Sequence, residues 1–257
     1  MRAVVQGVGV TNFITLSNAS KEAFKTATLL KTLNVNSLIT GENGVGKKSL
    51  ASYILPNATI VDASDFEESI TVLNSTDQVI LTNLHISPNL NTITDTIKAN
   101  NVRVIATAKE YLENENLDEL FSVKFSIPSL SQREEDVQAL IEMFSKEASE
   151  LFGVSNDFDM FSFTPDLSDN SSSLKRQVMI NYLLQDIQDL ELMGIIENYL
   201  ETKLGSNSDY RKFLYLYEVP LIKVGLKQYK SQLQLSDKLG LNRNTLRKKI
   251  ADNKDYL

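Results

Sequence analysis

The chain has no cysteine and no tryptophan, and His85 is its only histidine. Without cysteine it can hold neither a disulfide framework nor a thiolate zinc site, and a single histidine cannot form a histidine-rich metal cage. No apolar run approaches the roughly 20 residues that span a bilayer. The N-terminus carries only Arg2 before a short, interrupted apolar stretch, unlike a secretory signal. We therefore expect a cytoplasmic protein without a membrane segment.

Charge is distributed unevenly along the 257 residues, whose net charge is −7. Residues 210–257 contain 11 Lys or Arg and 4 Asp or Glu, which leaves 15 of the 26 basic and 29 of the 33 acidic side chains to the rest. An acidic body with a basic end is typical of a protein whose end binds nucleic acid. The alternative is a solvated basic helix with another purpose.

A glycine-rich stretch, SLITGENGVGKKSL at residues 37–50, carries the first chemical signal. From Gly41 to Lys47 it fits G-x-x-x-x-G-K, a loop whose backbone N–H groups hold phosphates. The next position is usually Ser or Thr, whose hydroxyl binds Mg²⁺. Here it is Lys48, and Ser49 comes one place later. The loop alone leaves open an ATPase, a nucleotide-binding switch and a fold that has lost its chemistry.

Around this loop, strand and helix patterns alternate. The predicted strands lie at 2–8, 12–17, 36–40, 58–63, 77–84 and 102–108, and the predicted helices at 20–33, 46–55, 65–73 and 87–100. A continuous apolar core, as in DQVILTNL at 77–84, is typical of central parallel strands. The alternation predicts an α/β fold, a parallel sheet with helices on both faces.

After Pro128 the pattern is helical. A capping box at Ser131–Glu134 predicts a helix that ends near Leu151, and a second long helix is predicted over 173–193. The small polar stretch 205–209 predicts a linker.

The tail has the pattern of a helix-turn-helix. Ser231 is placed to cap a short helix, and Gly240 suits a left-handed turn before a second helix. Leu246 and Ile250 are spaced to face inward, which leaves Arg243, Asn244, Arg247 and Lys248 on the outer side. Such a face suits the major groove of DNA.

The segment LGLNRNTLRKKI, residues 239–250, closely resembles the C-terminal helix-turn-helix of Fis and of the NtrC-type activators. The resemblance implies binding to double-stranded DNA, with Arg243 and Arg247 on guanine or phosphate. The implied DNA-binding residues are Asn242, Arg243, Asn244, Thr245, Arg247, Lys248 and Lys249. It also marks the preceding helix, YEVPLIKVGLKQY, as a dimerisation helix.

With that tail, the body resembles the AAA+ domain of the same NtrC family. LITGENGVGKKSLA is similar to its phosphate loop, NVRVIATAKEYL to its sensor I strand, and LDELFSVKFSIPSLSQREEDVQAL to the segment that follows. The resemblance places Arg176 at the sensor II arginine and implies that ATP or ADP is held, with Mg²⁺ left open. The implied nucleotide-binding residues are Gly41, Glu42, Asn43, Gly44, Val45, Gly46, Lys47, Lys48, Ser49 and Arg176.

Departures from the family pattern predict loss of catalysis. The Asp-Glu pair of Walker B is replaced by Thr82 and Asn83, and a neutral amide cannot act as a base. The two arginines that reach a neighbouring subunit's nucleotide map to Leu117 and Val123. The sensor I polar residue maps near Ala108, beside Thr107. Residues 48–78 contain nothing like the loop that engages sigma-54.

Three hypotheses follow. The first is a nucleoid-associated transcriptional regulator that binds specific DNA as a dimer or higher oligomer through a tail attached to a hydrolysis-deficient AAA+ body, and does not activate sigma-54 polymerase. The second is a working NTPase in which Asp62, Asp65 or Asp77 replaces Walker B. The third is a non-catalytic partner of an active AAA+ protein, and RNA polymerase is a further possible partner. The predicted domains are an α/β core at 1–128, a helical lid at 129–204 and an all-α helix-turn-helix domain at 209–257.

Overall fold

A five-stranded sheet lies at the centre of the N-terminal part of the chain. The computed structural model describes residues 13–110, 115–153, 163–185, 187–229 and 231–257. The strands are β1 (Ser37–Thr40), β2 (Thr59–Asp62), β3 (Gln78–Thr82), β4 (Arg103–Ala108) and β5 (Val123–Ser126). They pair in the order β2-β3-β4-β1-β5, and every pair is parallel. The predicted parallel α/β sheet is confirmed.

Helices cover both faces of this sheet, as parallel strands require. They are α1 (Asn18–Thr32), α2 (Lys47–Ile54), α3 (Phe66–Leu73), α4 (Leu90–Asn100) and α5 (Glu115–Leu120). Successive strand residues point to opposite faces, so neighbours such as Leu38 and Ile39 enter different cores. Leu38 packs with residues of α3, α4 and α5, and Ile39 packs with residues of α1 and α2.

Two helices follow the sheet, α6 (Glu134–Phe152) and α7 (Asn170–Leu184), and they pack through Leu140, Phe144 and Val178. The predicted capping box at Ser131–Glu134 is wrong. Residues Leu130–Gln132 form a 3-10 turn, and Arg133 occupies the cap position, where its guanidinium cannot cap the helix because it has donors but no acceptor. The predicted helix over 173–193 is also wrong: α7 ends at Leu184, and a new helix starts after a capping box of Gln188 and Glu191.

Two smaller expectations near the start of the fold have different outcomes. Residues 13–16 of the predicted strand 12–17 are not a strand, and Ser17 caps α1 instead. The predicted strand 2–8 lies outside the described residues.

The remaining helices are short and lie after residue 186. They are α8 (Asp189–Glu201), α9 (Asp209–Phe213), α10 (Tyr215–Gln228), α11 (Gln232–Lys238) and α12 (Arg243–Asp252). Ile222, Leu235 and Leu246 form a small core that joins α10, α11 and α12. Gly225 permits this close packing, because a Cβ there would overlap the side chain of Leu235.

The chain divides into two compact units, Met1–Asp186 and Ile187–Leu257. Residues 205–209 therefore lie inside the second unit, where Asp209 accepts hydrogen bonds from Gly205 and Ser206. The domain bounds 1–128, 129–204 and 209–257 stay predictions. Among the described residues, no helix is long and apolar enough to cross a membrane.

Candidate functional site

The glycine loop connects β1 to α2, as the sequence predicts. Gly41, Gly44 and Gly46 have φ values of 144°, 72° and 105°, which L-residues rarely adopt. A Cβ at Gly46 would lie 2.7 Å from the ring of Phe13, and a Cβ at Gly44 would overlap the carbonyl oxygen of Asp169. Both glycines are therefore required by backbone conformation and by close packing.

The loop presents unpaired N–H groups beside the N-terminus of α2. Within the described part of the chain, the backbone N–H groups of residues 43–46 donate to no protein acceptor. Lys47 Nζ donates to the carbonyl oxygens of Gly41 and Glu42, at 2.6 Å each. Burial lowers the pKa of Lys47, and the nearby charge of Glu42 opposes that shift. Free N–H groups, a helix N-terminus and a lysine together fit a phosphate group.

The carboxyl ends of β2, β3 and β4 meet beside this loop at a cavity of about 350 Å³. Its lining residues are Asn43, Gly44, Gly46, Lys47, Lys48, Ser49, Asp62, Thr82, Asn83, Thr107 and Ser171. The cavity thus brings together the phosphate loop, both Walker B-like positions and Thr107. In a parallel sheet this edge is the usual place for a ligand.

The two Walker B-like residues, Thr82 and Asn83, make hydrogen bonds within the protein. The Thr82 hydroxyl donates to the carbonyl oxygen of Val61 (3.2 Å). Asn83 has a left-handed backbone (φ 56°), and its Nδ2 donates to Asp62 Oδ2 at 2.7 Å. Neither side chain carries a charge, so the strand end that holds a carboxylate pair in the family supplies neither charge nor base here.

Among the described residues, Asp62 is the one acidic side chain in the lining of this cavity. Its Oδ1 accepts from the Ser64 backbone N–H at 3.0 Å and from the Ser64 hydroxyl at 2.7 Å. Partial burial opposes its charged form, but the hydrogen bonds from Ser64 and Asn83 outweigh burial and lower the pKa of Asp62. The other two candidate acids lie elsewhere: Asp65 caps α3, and Asp77 precedes β3 at the end of the strand opposite Thr82.

The N-terminus of α7 contacts the loop directly, which the sequence did not indicate. Ser171 donates to the Gly44 carbonyl oxygen from its N–H (3.2 Å) and its hydroxyl (2.6 Å). Asn170 Nδ2 donates to the Asn43 carbonyl oxygen (2.8 Å). Arg176, the predicted sensor II residue, is exposed and lines neither described cavity of this unit. The structure therefore does not bring Arg176 to the loop.

A second cavity of about 510 Å³ adjoins the first and shares Gly44, Gly46, Ser49 and Ser171 with it. Its other lining residues are Phe13, Ile14, Val45, Leu130, Arg133, Asp136, Leu140, Met143, Phe144, Glu147, Ser172 and Lys175. This volume is in the range of small-molecule sites, and the wall combines apolar side chains with a few polar ones.

A buried ion pair supports the wall of the second cavity. Arg133 Nη2 donates to the Val45 carbonyl oxygen at 3.0 Å, and Nη1 lies 3.5 Å from Asp136 Oδ2. Asp136 also accepts from the N–H groups of Leu16 (2.8 Å) and Ser17 (2.9 Å). Burial lowers the pKa of Arg133, and Asp136 opposes that shift. The pair thus joins α6 to the loop and to the start of α1.

The two positions predicted to have lost the intersubunit arginines carry apolar side chains that pack within the protein. Leu117 is fully buried in the core, and Val123 is half-buried in β5.

His85 accepts through Nδ1 from the Lys109 N–H at 3.3 Å. Burial, with Lys47 nearby, lowers the pKa of His85. Within the described ranges, no group of three or more acidic, histidine or cysteine side chains could hold a metal ion by itself.

In the second unit, α11 and α12 form a helix-turn-helix arrangement. Gly240 has φ 63°, Ser231 caps α11, and Asn242 caps α12 by accepting from the Asn244 N–H (2.9 Å). Leu246 is buried. Six of the seven predicted DNA-contacting residues are exposed: Asn242, Arg243, Asn244, Thr245, Arg247 and Lys248. Lys249 differs, because its Nζ pairs with Glu218 of α10 and the residue is half-buried.

Solved structures share this architecture. NtrX from Brucella abortus in complex with ADP superposes with a TM-score of 0.58 at 17% identity, over 94% of this chain and 69% of that one. Its complex with ATP gives 0.58 and 17%, over 95% and 69%. The chain has the AAA+ fold. AMPPCP-bound DnaA from Aquifex aeolicus gives a TM-score of 0.44 at 14% identity, over 92% of this chain and 87% of that one. No protein-family model and no curated protein sequence matches the chain.

Replacement of Gly44 by Ala should destabilise the first unit. The left-handed backbone alone costs an L-residue about 1–2 kcal/mol, and the methyl group would also overlap the Asp169 carbonyl. Gly153→Ala is the matched control, because Gly153 also has a left-handed backbone (φ 68°) in the first unit but nothing lies within 4 Å of an added Cβ, so it should lose only the backbone contribution. Urea unfolding of both variants checks this, and equal stability would contradict the role given to Gly44.

Proposed function

We propose that the protein is a transcriptional regulator that binds specific double-stranded DNA and carries a nucleotide-binding, hydrolysis-deficient AAA+ domain. The observation that carries the proposal is the exposed polar and basic face of α12, held by a buried apolar side against α10 and α11. The same chain also contains the AAA+ fold. The domains follow as the α/β core at 1–128, the helical lid at 129–204 and the DNA-binding domain at 209–257.

The chemistry of α12 supports DNA binding. Arg243 and Arg247 are one turn apart, so both guanidinium groups lie on one face of the helix, where each could bond a guanine edge or a phosphate. Asn242, Asn244, Thr245 and Lys248 add donors around them. Lys249 is less suited to this role, since its ammonium group is paired with Glu218. The surplus of basic residues in 210–257 favours any polyanion, and the apolar docking of Leu246 orients the helix for a groove.

The loop and its two cavities support binding of ATP or ADP. The free N–H groups of residues 43–46 and Lys47 fit the phosphates, and the larger cavity beside Phe13 has room for the nucleoside. NtrX, which shares the fold, was solved in complex with ADP and with ATP. The proposed phosphate-binding residues are those of the loop, 41–49, with Ser171 of α7 in place of Arg176.

Hydrolysis requires groups that this site does not supply. A base or water-positioning group is absent from the Thr82 and Asn83 positions, and Leu117 is packed in the core where the family has an arginine. An arginine finger alone is worth about 10³–10⁵ in rate. We therefore expect nucleotide to be bound without turnover, so that it acts as a structural ligand or a signal and does not drive remodelling of sigma-54 polymerase.

A dimer is part of the proposal, because one short recognition helix makes too few contacts for specific binding. The resemblance implies dimerisation through α10, and α8 adds a second apolar surface. None of the residues of α8 is buried within the chain, and Leu190, Met193 and Ile195 are 82%, 62% and 48% exposed. Such an uncovered apolar surface is typical of a protein interface.

Replacing Met193 with Glu should weaken the dimer at least tenfold, because a carboxylate placed in an apolar interface costs more than about 1.4 kcal/mol. Sedimentation equilibrium of the full chain measures this. Leu151→Glu is the control, since Leu151 is similarly exposed (69%) but lies at the end of α6. A monomeric wild-type protein, or equal effects of the two substitutions, would contradict the assignment of α8 to the interface.

Binding and turnover of ATP test the nucleotide half of the proposal. Titration calorimetry should detect ATP or ADP binding that Lys47→Ala abolishes, and phosphate release should not rise above the protein-free rate, with or without DNA. Turnover that Lys47→Ala removes would show a working NTPase instead. Co-purification with an active AAA+ protein, and no DNA binding, would favour the role of a non-catalytic partner.

A further inference from the structure

The cavity below the phosphate loop contains a carboxylate that comes from β2 and not from the Walker B-like strand β3. In the register of the sheet, Asp62 at the end of β2 lies opposite Thr82 at the end of β3, so the two strand ends share one edge. Asp62 is therefore next to the Walker B-like positions without belonging to them. It lines the cavity together with Lys47, Ser49 and Thr107.

Asp62 is held in place by its neighbours. Asn83 Nδ2 binds Oδ2 at 2.7 Å, and the Ser64 N–H and hydroxyl bind Oδ1 at 3.0 and 2.7 Å. An ionised carboxylate has about four lone-pair positions, so these three bonds orient the group and leave it capacity for a further ligand or water. Asn83 therefore acts as a positioning residue for the carboxylate.

This arrangement fits the requirements of magnesium at a nucleotide. Mg²⁺ keeps several waters and is usually held by one or two carboxylates together with substrate phosphates, so no cage made of protein groups is needed. Thr82 and Ser49, which both carry a hydroxyl group, line the same cavity as Asp62 and the phosphate loop. Lys48 also reaches this cavity but is exposed, which leaves it at the rim.

We propose that Asp62, positioned by Asn83, supplies the carboxylate that holds the Mg²⁺ of a bound nucleotide, directly or through a water. The inference rests on the nucleotide binding proposed above and deepens it. It assigns to β2 the charge that the family resemblance places on β3. It gives the cation an electrostatic role in affinity, and it adds no base for hydrolysis.

Nucleotide affinity measured with and without Mg²⁺ tests this proposal. Calorimetric titration of the full chain with ATP should give at least tenfold tighter binding in Mg²⁺ than in EDTA. Asp62→Asn keeps the size of the side chain and removes its charge, so the ratio should fall to about one. The expected loss, about 10–100-fold in metal-dependent affinity, is that of a group which orients a metal or its ligands.

Two further variants separate a metal role from a structural one. Asp65→Asn makes the same change three residues later, where the side chain only caps α3, and it should keep the wild-type ratio. The double variant Asp62→Asn/Asn83→Asp moves the carboxylate across the hydrogen bond to β3. Since Asp tolerates the left-handed backbone of residue 83, the magnesium dependence should return.

The outcomes distinguish this inference from the proposed function. ATP binding that is equally strong in Mg²⁺ and EDTA would overturn the role of Asp62 and leave nucleotide binding intact. If Lys48→Ala then loses ATP binding, the ammonium group of Lys48 supplies the positive charge at the phosphates in place of Mg²⁺. If folded wild-type protein binds no ATP or ADP at all, both the proposed nucleotide site and the role of Asp62 fail.

Discussion

Replacing Asp136 with Ala should destabilise the first unit by about 3–5 kcal/mol, the range measured when one partner of a buried ion pair is removed. Asp136 is fully buried and accepts from the N–H groups of Leu16 and Ser17, from the Ser17 hydroxyl at 3.0 Å, and from the Ser20 hydroxyl. Its loss would leave these donors and the 2% exposed Arg133 without their acceptor. The cost is therefore that of unpaired buried groups and of an uncompensated charge.

Urea unfolding followed by far-ultraviolet circular dichroism measures the Asp136 effect. Because the chain has two compact units, two transitions can occur, and hydrogen exchange in α1 and α6 identifies the affected one. Glu135→Ala is the control, since Glu135 precedes Asp136 in the first turn of α6 but is exposed. It should cost at most about 1 kcal/mol through the helix dipole. Similar losses in the two variants would contradict the role of the buried pair.

The double variant Arg243→Ala/Arg247→Ala should lose nearly all specific DNA binding. Each arginine that reads a base contributes roughly 1–3 kcal/mol, so Arg247→Ala alone should cost that amount and the pair about 2–6 kcal/mol if the contacts are independent. The helix itself should stay folded, because Leu246 and the Asn242 cap are unchanged.

Fluorescence anisotropy with a captured target duplex and with random duplex measures the arginine effect. Arg211→Ala/Lys227→Ala removes the same charge from exposed positions of α9 and α10, so it controls for general electrostatics. The α12 variant should lose affinity mainly for the target. An equal loss on both DNAs would show that these arginines contact phosphates and do not read bases.

The sequence was sufficient for features that depend on local pattern. Alternating buried strands and helices identify the parallel sheet, and Gly41 to Lys47 identify the loop, because few other sequences can adopt its left-handed turns. In the tail, Gly240 marks the turn and the spacing of Leu246 and Ile250 marks the inner face. Each of these signals lies within a few residues of the structure it predicts.

Contacts between distant segments could not be predicted in this way. Phe13 packs on Gly46, and Asn170 bonds to Asn43, more than 30 and 120 residues away respectively. The same limit applies to Arg176, because its distance from the loop depends on how α7 packs against that loop. Lys249 pairs with Glu218, which lies on another helix, and no local pattern predicts this pair.

Some local signals were present but were misread. Gln188 with Glu191 is the capping box that starts α8. Because Gln is rarely a cap residue, the sequence pattern predicts one long helix that runs through this position. Ser131 with Glu134 has better cap residues but forms no box, because Arg133 is held by Val45 and Asp136 and the backbone makes a 3-10 turn first. Tertiary contacts thus outweighed local preference at the start of α6.

Capture of sheared genomic DNA from the encoding organism tests the central claim most directly. Purified full-length protein at physiological salt, with and without Mg-ATP, is compared with Arg243→Ala/Arg247→Ala, and the bound DNA is sequenced. The account predicts sharp enrichment at a common set of sites for the wild type and its loss in the variant. Diffuse, salt-sensitive binding that is the same for both proteins would contradict a sequence-specific regulator.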